Sequence, residues 1–264
     1  MLKISLIIPV HNAAGSISQM LDSIAAQTMP CGEMELLIAD DFSTDGSEAL
    51  AEAWAEEHSR LSVKILHLDA NVGPGAARNA ALEQACGQYV VFVDADDRLA
   101  PTYCQALYDT AHGKGADMAW CRAQCTGRSS EILGNPPAGQ GRSRLLRRFR
   151  TYLWTCIFRR EFLLAQDISF PHTRCAEDSH FCLAALMAAG IAASTDEILY
   201  YYTVGDSSLS ARPGKEKADD RLDSMRALRR WAKGRGFYGM YSASLEYVIF
   251  KKGLLLSAKD RYIK

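Results

Sequence analysis

The sequence predicts an α/β protein built on a mostly parallel, doubly wound sheet flanked by helices. Two patterns predict it. Short apolar runs alternate with helical periodicity through the first half, and four βα steps in succession imply a parallel sheet. The fourth apolar run, Tyr89-Val90-Val91-Phe92-Val93, ends at once in Asp94-Ala95-Asp96-Asp97. Acidic side chains then stand at the carboxyl end of a strand, where open α/β sheets bind ligands.

The elements follow in order. Ile4 to Val10 is β-rich and is closed by His11-Asn12; Ile17, Met20, Leu21 and Ile24 then recur at helical spacing. Glu35 to Ala39 is a second buried strand, closed by Asp40-Asp41. Ser43-Thr44-Asp45-Gly46-Ser47 reads as a turn and helix cap, and Ala49, Leu50, Ala53 and Trp54 give the next helix its apolar stripe. Val63 to Leu68 is the third strand, Asn71 to Gly75 a loop, and Ala76 to Ala85 a helix. Beyond the fourth strand the pattern is less regular. Asp117 to Cys121 and Ile198 to Thr203 are strand-like, Gly127 to Gly141 reads as a loop, and Glu177 to Ala189 is a helix. From Lys215 the chain is helical, with Leu222, Met225, Leu228 and Ala232 on one face.

Composition removes several classes. The 264 residues suit one large or two small domains, and a formal net charge of −1 gives no global field for nucleic acid. The charge is uneven: from Arg212 onward there are 14 Lys/Arg against 6 Asp/Glu, and Arg142 to Arg150 holds five arginines and no acid. These stretches are either solvated helix faces or patches for phosphates, acidic glycans or lipid head groups. No signal-peptide pattern is present, and no run reaches the ~20 apolar residues of a membrane span. The eight scattered cysteines read as reduced thiols, and the expected location is cytoplasmic. The tail from Tyr247 to Leu256 mixes bulky apolar residues with lysines. It either lies on the inner membrane surface or packs as a closing helix.

Three acidic clusters carry the chemistry: Asp40-Asp41, Asp94/Asp96/Asp97 and Glu177-Asp178. Each alone suits a turn or an N-cap. Gathered on one βαβ scaffold they repel each other unless a cation sits among them. Carboxylate oxygens suit Mg²⁺ or Mn²⁺, which share such ligands with substrate phosphates. The loop Asn71 to Gly75 opens a helix, whose N-terminus attracts phosphate, and Arg78 on its first turns is either a surface residue or a partner for an anion. Gly73-x-Gly75 is a poor dinucleotide fingerprint, because Arg78 stands where the third glycine belongs.

Five motifs in order resemble family 2 glycosyltransferases: Ser5 to Asn12, Ala39 to Ser47, Asn71-Val72-Gly73 with Ala77-Arg78-Asn79, Phe92 to Asp97, and Ala176-Glu177-Asp178. The resemblance is firm over residues 1 to about 110. It persists through Trp154, Phe158 to Glu161, Glu177-Asp178, and Tyr200 to Tyr202 with Ser207 to Ser210, then fades. It implies a GT-A fold, Rossmann-like, with a nucleotide-sugar-binding half over 1–110, an acceptor and catalytic-base half over 111–210, and a helical basic tail over 211–264. It implies that Pro9, His11, Asp41, Arg78, Asp94 and Ala95 bind the nucleotide, with Asp41 reading the base and His11 stacking where the family often has tyrosine. Asp96 and Asp94 are then the metal ligands, Asp178 the catalytic base and Glu177 its support. Phe42 stands where glycine is common after the Asp-Asp pair. Trp154 and Tyr202 are either acceptor platform or core.

The expected reaction is an inverting, metal-dependent transfer from a nucleoside-diphosphate sugar, UDP-linked, to a glycan or lipid-linked acceptor in surface polysaccharide synthesis. One base and one metal site are visible and no separate nucleophile is, hence the inversion. Two other readings compete: a sugar-phosphate nucleotidyltransferase and a non-catalytic nucleotide-sugar binding module. The first strand ends Pro9-Val10-His11-Asn12-Ala13-Ala14-Gly15, without the glycine-rich basic loop of a nucleotidyltransferase. Intact Asp94, Asp96 and Asp178 argue against decay to a binding module.

Overall fold

The computed structural model describes residues 1–204 and 215–255. Ser207 to Ser210, Arg212 and the tail from Leu256 onward lie outside the described residues. The first half is β1 (Ile4–Val10), α1 (Ile17–Ala25), β2 (Met34–Asp40), α2 (Ser47–Glu57), β3 (Ser62–His67), α3 (Pro74–Gln84) and β4 (Tyr89–Phe92). Strands β1, β2, β3 and β4 are parallel, and Ile7 pairs with both Leu37 and Phe92. In this register Asp40 lies beside Val10 and His67, and Val93 N–H bonds to the Ile7 carbonyl. The two acid-bearing strand ends, of β2 and β4, therefore share one edge of the sheet.

The second half continues the same sheet. It adds β5 (Arg98–Leu99), α4 (Tyr103–His112), β6 (Met118–Gly127), β7 (Ile132–Leu133), α5 (Arg142–Arg148), β8 (Cys156–Arg159), α6 (Arg160–Ala165), α7 (Glu177–Ala188) and β9 (Ala192–Val204). Then come α8 (Lys215–Gly234), α9 (Phe237–Val248) and a π-helical segment over Ile249–Leu255. Strand order is β3-β2-β1-β4-β8-β6-β9-β5, with β7 on β6. Strand β8 runs antiparallel to β4 and β6, while β6 and β9 are parallel. The sheet is thus parallel in its first half and mixed in its second.

Both faces are covered, which is why the strands read as unbroken apolar runs. One core joins Ile4, Leu6 and Ile8 of β1 to α1, α2 and α4. The other joins Ile7, Val90 and Phe92 to α3, α5, α7, α8 and α9. Helix α1 buries the predicted Ile17, Met20, Leu21 and Ile24. Helix α2 differs from its expected stripe. Leu50 is 41% exposed, and the buried face is Ser47, Ala51 and Trp54. Polar bonding turns the helix: Ser47 Oγ accepts from Ala13 N–H at 2.8 Å and donates to Asp45. The stretch from Gly127 to Gly141, expected as loop, contains the short β7.

Helix α7 is buried nearly all round, packed on the sheet and against α8. His180 lies inside it, and Nδ1 has no hydrogen-bond partner. Burial pushes its pKa down to about 4, against a backbone bond at Ser224 that pulls the other way. The unfolded chain therefore binds more protons, so this histidine's stabilisation is lost as pH falls from about 6.5 toward 4. Urea unfolding of wild type and His180→Phe between pH 7 and 4.5 checks this. The wild type should lose up to about 3 kcal/mol more than the variant over that range.

Candidate active site

Asp41 closes β2 and does not face open solvent: it is buried, and its carboxylate accepts N–H bonds from Val72 at 2.7 Å and Gly73 at 2.9 Å. The expected phosphate-binding loop is thus tied down by an acid of this chain. His11, exposed at the end of β1, donates from Nδ1 to the Asp41 carbonyl at 2.8 Å. Pro9 sits partly buried one turn of pleat behind it, paired with Ala39. Phe42 follows with φ of 61° and its side chain out of the core. That left-handed backbone is the physical reason a glycine suits the position, and it costs an L-residue about 1 kcal/mol.

The Gly73 to Asn79 motif is explained by packing. Gly73 has φ of 90°, and a Cβ on Gly75 would lie 3.1 Å from Glu177 Cγ and 3.2 Å from Phe170 Cβ. Gly75 therefore lets α7 approach α3. Asn79 pins the incoming chain, giving and receiving bonds of 2.9 Å with the Phe170 backbone. Arg78 is buried between them. Its Nη1 donates to Glu177 Oε1 and its Nη2 to Asp94 Oδ1, both at 2.7 Å, and the guanidinium lies over the Phe170 ring. Both terminal nitrogens are taken by carboxylates. In this structure Arg78 joins the acid after β4 to the acid opening α7.

The segment after β4 divides its acids. Asp97 is fully buried and accepts from Tyr200 Oη at 2.7 Å and Thr203 N–H at 2.7 Å. Burial first, then repulsion from Asp94, pushes its pKa up to about 8. Ala95 is buried in the core beneath the loop. Asp96 is exposed, and its carboxylate has no hydrogen-bond or ion-pair partner among the described residues. Partial desolvation and then Asp94 raise its pKa. Free Asp96 and the outer oxygen of Asp94 form a hard, anionic oxygen pair at a strand end. That donor set fits Mg²⁺ or Mn²⁺, whose remaining positions go to phosphate and water.

Among the described residues, a three-residue set with metal-ligand spacing lies elsewhere: Asp40, Glu48 and His67 offer ligand atoms within 4.8 Å of one another. His67 Nδ1 and Glu48 Oε1 already pair at 3.0 Å, and Asp40 Oδ2 accepts from Ser43 N–H.

Helix α7 opens on Ala176, which has φ of 61°. Glu177 is buried and Asp178 half-buried. Burial raises both carboxyl pKa values; Arg78 opposes it at Glu177, while Lys252 and then Arg78 oppose it at Asp178. Lys252 reaches in from the π-helical segment. Its Nζ donates to Thr151 Oγ1 at 3.0 Å, and Thr151 Oγ1 lies 2.9 Å from Ser179 Oγ. A second cation beside the α7 acids is therefore a lysine that no sequence motif marked. Its burial lowers its pKa, with Asp178 as the main opposing charge.

Of the two readings open for Trp154, its burial favours core. It is buried, stacked on Tyr152, Tyr200 and Tyr202 at centroid distances of 5.1, 4.5 and 5.3 Å. Its location makes it a core support, not an open sugar platform; Tyr202 remains half-buried with one face on it. Tyr200 carries that support to the acids, since its hydroxyl holds Asp97 and accepts from Asp94 N–H at 3.2 Å.

A family model described as Glycosyl transferase family 2 matches residues 5–174. This chain belongs to glycosyl transferase family 2. The family 2 chain is 31% identical over 222 residues to the uncharacterized glycosyltransferase YibD of Escherichia coli, covering 79% of this chain and 63% of that one. It is 32% identical over 211 residues to the poly(ribitol-phosphate) beta-N-acetylglucosaminyltransferase TarS of Staphylococcus aureus, covering 77% and 36%. The crystal structure of S. aureus TarS 1-349 in complex with UDP-GlcNAc superposes with a TM-score of 0.73 at 23% identity, covering 98% of this chain and 78% of that one. The fold is therefore GT-A. The chain spans less than two thirds of the length of YibD and TarS.

The Arg78 bridge and the Ala176 backbone give two stability predictions. Arg78→Met leaves buried Glu177 and half-buried Asp94 without their cation and should cost about 3 kcal/mol in urea unfolding. Ala176→Gly relieves a left-handed residue and should stabilise by up to about 1 kcal/mol.

Proposed function

We propose that this chain moves a sugar from a nucleoside-diphosphate donor, UDP-linked, to a hydroxyl of a glycan or lipid-linked acceptor, inverting the anomeric centre. The observation that carries the reading is the pair Asp94 and Asp96 at the end of β4, joined through Arg78 to the first turn of α7. The relative TarS, solved with UDP-GlcNAc and named for transfer to a poly(ribitol-phosphate), supports a UDP-linked donor.

Each group has a role the geometry supports. Residues 1–110 hold the donor, with Asp41 and His11 at the base and Asp94 and Asp96 at the diphosphate. Residues 111–210 hold the acceptor and the base, and α8 and α9 of the tail pack in one core with α7. Among the described residues, no helix is long and apolar enough to cross a membrane. A divalent cation held by Asp96 and Asp94 supplies Lewis-acid stabilisation of the leaving diphosphate. Asp178 accepts the acceptor hydroxyl's proton as that oxygen bonds the anomeric carbon and the bond to the diphosphate oxygen breaks. Burial raises its pKa, which strengthens it as a base, and the charge of Lys252 opposes that rise. Glu177 is a positioning residue: held by Arg78, it fixes the start of α7.

Calorimetry with UDP and Mn²⁺, combined with UDP-sugar turnover and anomeric NMR, tests this. Asp96→Asn should abolish the gain in UDP affinity that Mn²⁺ gives. Asp178→Asn should lower turnover about 10²–10⁴-fold while leaving UDP affinity within about twofold. A retained anomeric configuration, or Mn²⁺-independent UDP binding in wild type, contradicts the reading.

A further inference from the structure

The C-terminal helices present one apolar stripe that the proposed chemistry does not use. Met240, Ala243, Tyr247, Phe250 and Leu254 follow each other at spacings of three, four, three and four, all exposed. Met240 is 63%, Tyr247 45%, Phe250 52% and Leu254 52% exposed. Such spacing places them along one side of a helix. The opposite side, with Ser244, Leu245, Val248 and Gly253, is buried against α5 and α8. The tail is thus both a packed helix and an open apolar face, which is why sequence alone left the two readings level.

The charge around the stripe has one sign. Helix α5 packs beside α9 and exposes Arg144, Arg147 and Arg148. Arg147 lies over the Tyr247 ring at 5.8 Å and its Nε donates to Ser244 Oγ at 3.1 Å, so it flanks the stripe directly, with exposed Arg144 and Arg148 on the same short helix. Lys251 is exposed at its edge. The one acid between 236 and 255 is Glu246, and it is occupied by Arg229 and by Tyr238 Oη.

We propose that this stripe and the α5 arginines form a docking face for an anionic lipid surface. Exposed aromatic and aliphatic side chains enter the head-group boundary, while the arginines meet lipid phosphates. A second copy of this chain fits poorly, because a two-fold contact brings the same arginines together, and among the described residues from 236 to 255 the one acid, Glu246, is already paired. Lys252 ties the face to the cleft. It sits on the same segment as Phe250 and Leu254 and points the other way, to Thr151 beside Asp178. The inference is independent of sugar transfer, since it needs no donor.

The experiment is sedimentation of the full chain with vesicles of phosphatidylcholine alone or with added phosphatidylglycerol, at low and raised salt. Wild type should partition onto the phosphatidylglycerol vesicles, with binding falling as salt rises. Phe250→Ser/Leu254→Ser should weaken partition about tenfold. Arg144→Ser and Arg148→Ser should each weaken it about fivefold. Circular dichroism and melting temperature check that each variant stays folded, and light scattering reads its oligomeric state. Equal binding to neutral vesicles, no binding to anionic ones, or a dimer that Phe250→Ser/Leu254→Ser dissolves would each overturn the proposal.

Discussion

A buried guanidinium shared by two carboxylates organises this cleft. Arg78 on α3 holds Asp94 at the end of β4 and Glu177 at the start of α7, three elements from distant parts of the chain. Three carboxyl groups, counting Asp178, gather there, and Arg78 and Lys252 oppose the burial that raises the pKa of Glu177 and Asp178. Everything else at the site adapts to that bridge. Gly75 lacks a Cβ so that Glu177 can reach Arg78, and Asn79 fixes the segment that leads into α7.

A second support works from below. The rings of Trp154 and Tyr200 stack in the core, and the Tyr200 hydroxyl carries that rigidity to Asp97 and the Asp94 backbone. Asp97 is spent on structure, which leaves Asp96 turned to solvent without a partner. One Asp-x-Asp-Asp segment thus yields a fixed acid, a bridged acid and a free one. The left-handed backbones at Phe42 and Ala176 lie next to these acids, at turns that aim them.

The parallel half of the sheet was legible because each strand was an apolar run and each ended in a polar turn. The site acids were legible for the same reason: carboxylates directly after such runs are conspicuous. What sequence missed depends on tertiary pairing. Arg78 reads as an anion binder in the sequence, which does not show that its two terminal nitrogens bridge acids 16 and 99 residues away. Lys252 carries no motif and enters from a segment beyond the five matched ones. Helix α2 turned its face because Ser47 found a backbone donor in another loop, a contact no periodicity encodes. Trp154 could be ring platform or core, and only the three stacked tyrosines decide for core.

The central claim is that Asp94 and Glu177 are energetically joined through Arg78. A double-mutant cycle of Asp94→Asn and Glu177→Gln, followed by urea unfolding in wild-type and Arg78→Met backgrounds, measures it most directly. The account predicts a coupling of about 1 kcal/mol or more that disappears when Arg78 is removed. Additive effects within about 0.3 kcal/mol in the wild-type background would contradict it.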